Sequence, residues 1–179
     1  MAGAGGPRSL DRSASRRSLR LALSAALALA SGCGYGFAVG GPGFPEGVSS
    51  VFVPVFANRS SEPEAGAFFS EALAETLARE GRAAGPAAPA RIEGEILSLI
   101  ASPAATNKEG RGVGIYRLTG TVRLVLVQNG RERCRREFTG AEDYLPAEDL
   151  LGLDASRRLA VRRLAERMMR TAGRELCPV

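Results

Sequence analysis

The side chains able to do chemistry in this 179-residue sequence are three cysteines and 24 basic residues, almost all arginine; histidine is absent. Without histidine the usual general base and the commonest metal ligand are missing. There is no Gly-x-Ser-x-Gly elbow and no glycine loop built to cradle phosphate. An enzyme, a resident metal or a cofactor is therefore not expected. Thiol and guanidinium chemistry remain. A thiol can carry an acyl group or close a disulfide, and a guanidinium grips phosphate through two parallel N–H bonds. The densest arginine cluster on expected strands is Arg131, Arg133, Arg135 and Arg136, with Arg117 and Arg123 on the strand before. These six are candidate contacts for an anionic lipid or a partner. The alternative is an outer sheet face salted against edge-to-edge association.

Cys33 stands in a different setting. Arg8, Arg12, Arg16, Arg17 and Arg20 make a basic start with one acid, Asp11, and an apolar run from Leu21 to Ala30 follows. That run is too short to cross a bilayer, which takes roughly 20 apolar residues. A basic start, a short apolar stretch and then small residues is the pattern of a secretory signal peptide. Leu29-Ala30-Ser31-Gly32-Cys33 resembles the bacterial lipobox, in which the cysteine thiol receives a diacylglycerol and the new amino terminus is acylated. A single chain binds a membrane only marginally, so the multiple chains of such an anchor matter. The expected organisation is a signal peptide over 1–32, a Gly/Pro-rich tether over 33–47 beginning at lipidated Cys33, and one domain over 48–179. Gly34, where an aspartate would retain the protein at the inner membrane, points to the outer membrane, with the domain on its periplasmic side.

With Cys33 acylated, Cys134 and Cys177 remain. Two thiols without histidine cannot form a structural zinc site. An exported compartment permits a disulfide between them; two buried free thiols are the other possibility. The leader also accounts for most of the basic excess. Residues 1–32 hold five Arg and one Asp, which leaves 19 basic and 18 acidic side chains, so no general case for nucleic acid survives. The remaining charge is uneven: five basic and nine acidic residues over 33–110, then 14 and nine over 111–179. Such asymmetry suits an anionic partner for the second half.

Several elements must position these groups. Val48 to Phe56 reads as a strand, at an edge or bulged because Pro54 cannot donate to a ladder. Ser61 reads as a helix N-cap with Glu64 three residues on. Phe69, Leu73 and Leu77 then form a stripe, Phe68 and Ala72 widen it, and Gly81 ends the helix. Arg91 to Ile100 is a strand, Ser102 to Gly114 a loop, and Ile115 to Val127 the longest strand. Asn129-Gly130 is a hairpin turn, and Arg131 to Thr139 returns. A strict two-residue loop would set Leu126, Leu124 and Val122 against Arg133, Arg135 and Glu137. One extra loop residue, Arg131, pairs Leu126 with Cys134 and Val122 with Phe138, so apolar matching favours the longer loop. A final helix starts at Asp154 or Ser156, after a connector from Asp149, and runs to about Glu175. The fold class is α/β (α+β): a two-layer sandwich of two helices on a roughly four-stranded mixed sheet, in the order β-α-β-β-β-α.

These residues are similar to a known family. Cys33-Gly34-Tyr35 after a lipobox, then Val53-Pro54-Val55-Phe56-Ala57-Asn58-Arg59-Ser60-Ser61-Glu62-Pro63, then a helix with Leu73 and Leu77, resembles the LptE family of lipopolysaccharide-assembly lipoproteins. The resemblance implies a non-enzymatic outer-membrane lipoprotein that assists assembly of the LptD barrel, plugs it and contacts lipopolysaccharide. Similar Pro-Phe-x-Asn stretches open the LpoB-type activators of peptidoglycan synthases, which is the alternative reading. The loop from Ala83 to Pro89 and the arginine-rich last helix depart from the family pattern.

Overall fold

The structure, a computed structural model, describes residues 44–106, 113–147 and 149–177. Within them the chain forms β1 (Ala57–Asn58), α1 (Ala65–Arg79), β2 (Ala90–Thr106), β3 (Val113–Gln128), β4 (Arg131–Tyr144) and α2 (Leu150–Glu175). The sheet runs β1-β2-β3-β4; β1 lies parallel to β2, and the other neighbours are antiparallel. This is the expected two-helix, four-stranded mixed α+β architecture in the expected order.

One side of the sheet carries the core. Ile92 and Ile96 from β2, Leu118, Val122, Leu124 and Leu126 from β3, and Phe138 from β4 alternate onto it, as the two-residue period of a strand requires. Phe69, Leu73 and Leu77 of α1 and Leu164, Met168 and Met169 of α2 close it from above. Gly120 and Gly140 sit opposite each other in the β3–β4 ladder. A Cβ at Gly120 would lie 2.8 Å from Leu99 Cδ2, and one at Gly140 would lie 2.7 Å from Met168 Cγ. The bare backbone of this glycine pair is what lets α2 seat closely on the sheet.

The hairpin follows the apolar pattern by a different device from the one expected. Asn129 (φ 51°) and Gly130 (φ 75°) form a tight two-residue turn, in which both central residues take positive φ. Gln128 pairs with Arg131 and Val127 with Glu132, and the ladder then skips Arg133 so that Leu126 meets Cys134 and Val122 meets Phe138. The extra residue is a bulge at Arg133 rather than a third loop residue at Arg131. The bulge restores the register that places apolar side chains on one face.

Other boundaries move for identifiable reasons. The first strand is fragmentary. Phe52 bridges to β2 through Phe52 N–H to Ala90 O (3.0 Å) and Ile92 N–H to Phe52 O (2.9 Å), and pairing resumes only at Ala57–Asn58. Pro54 lies in the gap, where its missing donor does no harm. Ser61 does not cap α1. Asn58 Oδ1 instead accepts from the backbone N–H and hydroxyl of Ser60 (2.9 and 2.7 Å), and the helix starts after Glu64 without a side-chain cap. Gly81, at φ +69°, ends it as expected. Residues 102–106, expected as loop, continue β2 with register shifts around Pro103 and Ala105. β1 has ended well before this point, so β2 is an edge there and tolerates a proline. The last helix starts earlier than Asp154. Asp149 Oδ1 accepts from Gly152 N–H at 2.7 Å and caps it.

Candidate partner- and ligand-contact surfaces

The face of the sheet turned away from the helices is exposed and ion-laced. Arg59 pairs with Glu95 (2.5 Å), Glu95 with Arg123 (3.2 Å), and Arg123 with Glu137 (2.8 Å). These four residues form one ladder from the end of β1 across to β4. Arg117 holds Asp143 through two hydrogen bonds, Nε to Oδ1 at 2.7 Å and Nη2 to Oδ2 at 2.8 Å. Those bonds hold the Asp143 carboxyl below its ordinary pKa and raise that of Arg117. Arg135 is raised in the same way by its bond to Glu132 at 2.7 Å. Between the ion ladder and the Arg117–Asp143 pair lies an uncharged band. Thr121 and Thr139 meet there at 3.3 Å, with Thr119, Ala141 and Ile100 beside them.

The six candidate arginines therefore do not form one free cationic cluster. Arg117, Arg123 and Arg135 share the outer face, each beside a carboxylate. Arg136 points to the opposite side, its guanidinium over the Phe138 ring at 5.4 Å, and bonds the carbonyl and carboxylate of Glu175. It fastens the end of α2, where a cation also complements the helix dipole. Arg133, at the bulge, bonds Gln128 Oε1. Arg131 and Arg133 have no carboxylate partner among the described residues. Only the Arg135–Glu132 pair, three residues apart on β4, was within reach of sequence spacing; the other partners lie on other elements, 26 residues away for Arg117 and Asp143.

The structure joins Cys134 and Cys177 as a disulfide, with Cα atoms 5.8 Å apart. The bond ties the segment after α2 to β4, next to the Arg136–Glu175 contact. Cys33 and the leader lie outside the described residues. Phe44 does not: it is 2% exposed, with Arg82 over its ring at 5.0 Å, and Gly47 O accepts from Gln128 Nε2 at 3.0 Å. The described end of the tether is thus packed on the domain, near the hairpin turn. Among the described residues no group of Cys, Asp and Glu could hold a metal ion, and no helix is long and apolar enough to cross a membrane.

The arginines of the last helix, arginine-rich by sequence, fall into separate groups in the structure. Arg157 pairs with Glu62 and Arg158 with Glu64, each at 2.5 Å, which fastens α2 to the start of α1. Arg167 bonds Glu142 and the Ala141 carbonyl. Arg162 lies over the Phe68 ring at 4.7 Å. Arg163, Arg170 and Arg174 are exposed and have no carboxylate partner among the described residues.

A small α+β sandwich with one face covered by helices and the other left to paired ions and threonines has the build of a contact module. The chain belongs to the LptE family: the family model for lipopolysaccharide assembly matches residues 48–175. Similar solved structures include rare lipoprotein B from Shewanella oneidensis, at 19% identity over 64% of this chain and 86% of that one (TM-score 0.46). PelC from Paraburkholderia phytofirmans, a dodecamer, is 19% identical over 76% and 94% of the two chains (TM-score 0.48). No curated protein sequence matches the chain.

Proposed function

We propose that this chain is an outer-membrane lipoprotein that assists assembly of an LptD-like β-barrel and plugs it during transport of lipopolysaccharide to the cell surface. The observation that carries the reading is the family match over residues 48–175, nearly the whole described domain. The leader and the lipobox-like Leu29-Ala30-Ser31-Gly32-Cys33 support export and acylation at Cys33. On this reading residues 1–32 are removed, residues 33–47 tether the domain to the periplasmic side of the outer membrane, and residues 48–179 enter the barrel.

The outer sheet face is the proposed partner surface. Its ion pairs are mostly exposed, with Arg123–Glu95 partly buried, and exposed pairs are individually weak, so they can exchange for partner contacts at little loss. Arg131 and Arg133, at the hairpin end, are the arginines of the cluster best placed to take an anionic lipid. Arg136 is a fastener within the fold. The test is purification of the native protein from detergent-solubilised membranes. Recovery of a large β-barrel supports the reading. Recovery of a peptidoglycan synthase in its place overturns it, and so does an unmodified thiol at Cys33 by mass spectrometry.

A further inference from the structure

β4 is the last strand of the sheet, and among the described residues no strand pairs with its far side. Which backbone groups face that side follows from the ladder. Ala90, Ile92 and Ile96 turn theirs away from β3, through bonds to Phe52 and Arg59. Arg91, Glu93 and Glu95 therefore bond β3, at Val127, Val125 and Arg123. Alternation along β3 leaves Leu124, Val122 and Gly120 to bond β4, at Arg136, Phe138 and Gly140. The N–H and C=O groups of Arg135, Glu137, Thr139, Ala141 and Asp143 thus point outward, along about 27 Å of edge. Ala141 agrees: its carbonyl accepts from Arg167 Nη2 of α2 at 2.6 Å. Proteins usually blunt an open edge with lysine, proline or a bulge. Beyond the bulge at Arg133 this edge has neither lysine nor proline, and Phe138-Thr139-Gly140-Ala141 at its centre carries no charge. Beside that centre lies a groove of about 330 Å³, with Phe138, Gly140 and Ala141 of β4 on one wall and Arg167, Met168 and Thr171 of α2 on the other.

We propose that this groove takes an extended, acidic segment of a partner protein, which adds to β4 as a fifth strand. Main-chain hydrogen bonds to the outward groups supply affinity, and alternate side chains of the segment enter the groove. The charge on α2 sets the acidic character. Arg163, Arg167, Thr171 and Arg174 span about 80° of the helix, on the side that Arg167 and Thr171 turn to the groove. Arg167 bonds Glu142, while Arg163 and Arg174 are exposed and have no carboxylate partner among the described residues. Carboxylates on the helix side of an added strand would meet these cations. A second copy of this chain fits worse. Because Met168 seats α2 over Gly140 of β4, edge-to-edge pairing would bring the α2 arginines of both copies together. The inference deepens the barrel reading and rests on it only for the identity of the partner. A closed barrel has no free strand edge to offer, so the segment would be a loop or terminus reaching into its lumen.

The described residues share one core, so residues 34–179 carry the whole fold and can be titrated with a labelled peptide. The probe is acetyl-Thr-Glu-Thr-Val-Thr-Val-Thr-Glu-Thr-amide, whose glutamates and valines fall on one side of a strand. The expected result is binding that added salt weakens, with slowed hydrogen exchange at the amides of Glu137, Thr139 and Ala141. The same peptide with lysine in place of glutamate should bind more weakly. Arg163→Gln/Arg174→Gln should weaken binding about tenfold, at about threefold per exposed charge pair. Thr139→Pro should weaken it about tenfold by deleting one outward donor, at a position where an edge strand tolerates proline. Arg79→Gln, on α1, should leave it unchanged. Arg163 and Arg174 are exposed, so the double variant decides the matter even if Thr139→Pro fails to fold. No binding, equal binding of the two peptides, or binding without protection of the edge amides overturns the proposal. A dimer formed through this edge also overturns it. None of these results touches the recovery of a barrel from membranes. Peptide binding without a recovered barrel would support the site and remove the barrel as its partner.

Discussion

Along β3, Leu118, Val122, Leu124 and Leu126 face the helices and are fully buried, while Arg117, Thr119, Thr121 and Arg123 face the other way and stay in reach of water. The same backbone holds both sets, yet they obey different physics. The inner side chains are fixed by close packing against α1 and α2, where a change of one methylene is felt. The outer ones are fixed by exposed ion pairs, whose net contribution is small. The fold therefore depends on one face of the sheet, and the other is free to be spent on a partner. The largest expected effects accordingly lie inside. Leu164→Ala should destabilise the domain by about 2–5 kcal/mol, read as a lowered urea midpoint at unchanged slope. Gly140→Val, which drives a side chain into Met168, should cost about 1–3 kcal/mol. A tolerated Gly140→Val would mean that α2 does not seat on the glycine pair.

The disulfide is the next test of the same contrast, because it pins the inner layer to the edge strand. It closes a loop of sequence separation 43, for which chain entropy gives a stabilisation of about 4 kcal/mol. Cys134→Ser/Cys177→Ser should lower the denaturation midpoint accordingly, and reduction of the unaltered protein should produce the same shift. Equal stability of the oxidised and reduced forms would show that Arg136 and the core hold the end of α2 unaided.

Much of the inner face was legible in the sequence. The Phe69/Leu73/Leu77 stripe, Gly81 as a stop, and the demand that Leu126 and Val122 meet Cys134 and Phe138 all follow from periodicity and apolar matching. The location of the bulge at Arg133 was not, because one extra residue in the turn or one in the strand gives the same register beyond Leu126. The strand through Pro103 and the early start of α2 were missed for a related reason. Both lie where tertiary cover has run out, so their polar or exposed residues read as connection. The Asp149-x-x-Gly152 cap was the one local signal for the helix start. The outer face was least legible. Six arginines look like one anionic-ligand cluster until Glu95, Glu137, Asp143 and Glu175 are brought beside them, and only the fold does that; Glu132 alone was already near Arg135 in the sequence. The arginines left without carboxylates include three on α2, a helix whose sequence shows it to be arginine-rich but not which of its arginines find partners.

On the outer face, Arg123→Gln should change stability by less than about 1 kcal/mol, although it removes the centre of the ladder between Glu95 and Glu137. Under the proposed function the same substitution should reduce recovery of the barrel in membrane pull-down by more than its stability effect explains. A loss of several kcal/mol on urea unfolding would show instead that the ladder belongs to the structural side of the contrast.

The smallest effect is the pH dependence of the Arg117–Asp143 pair, and its sign is fixed. The hydrogen bonds from Arg117 lower the pKa of Asp143 in the folded state; desolvation opposes them, and the charges of Arg117 and Arg167 add to them. A carboxylate whose folded pKa lies below its unfolded value of about 3.9 contributes stability that is fully present above that value. The contribution is lost as pH falls through the folded pKa. The stability gap between the unaltered protein and Asp143→Asn should therefore be constant around neutral pH and narrow once the pH drops below about 3.9. Because the pair is exposed, salt should shrink the gap at neutral pH. A gap that does not change with pH or salt would mean that Asp143 acts through packing, and the outer face would then be more tightly built than its ion pairs indicate.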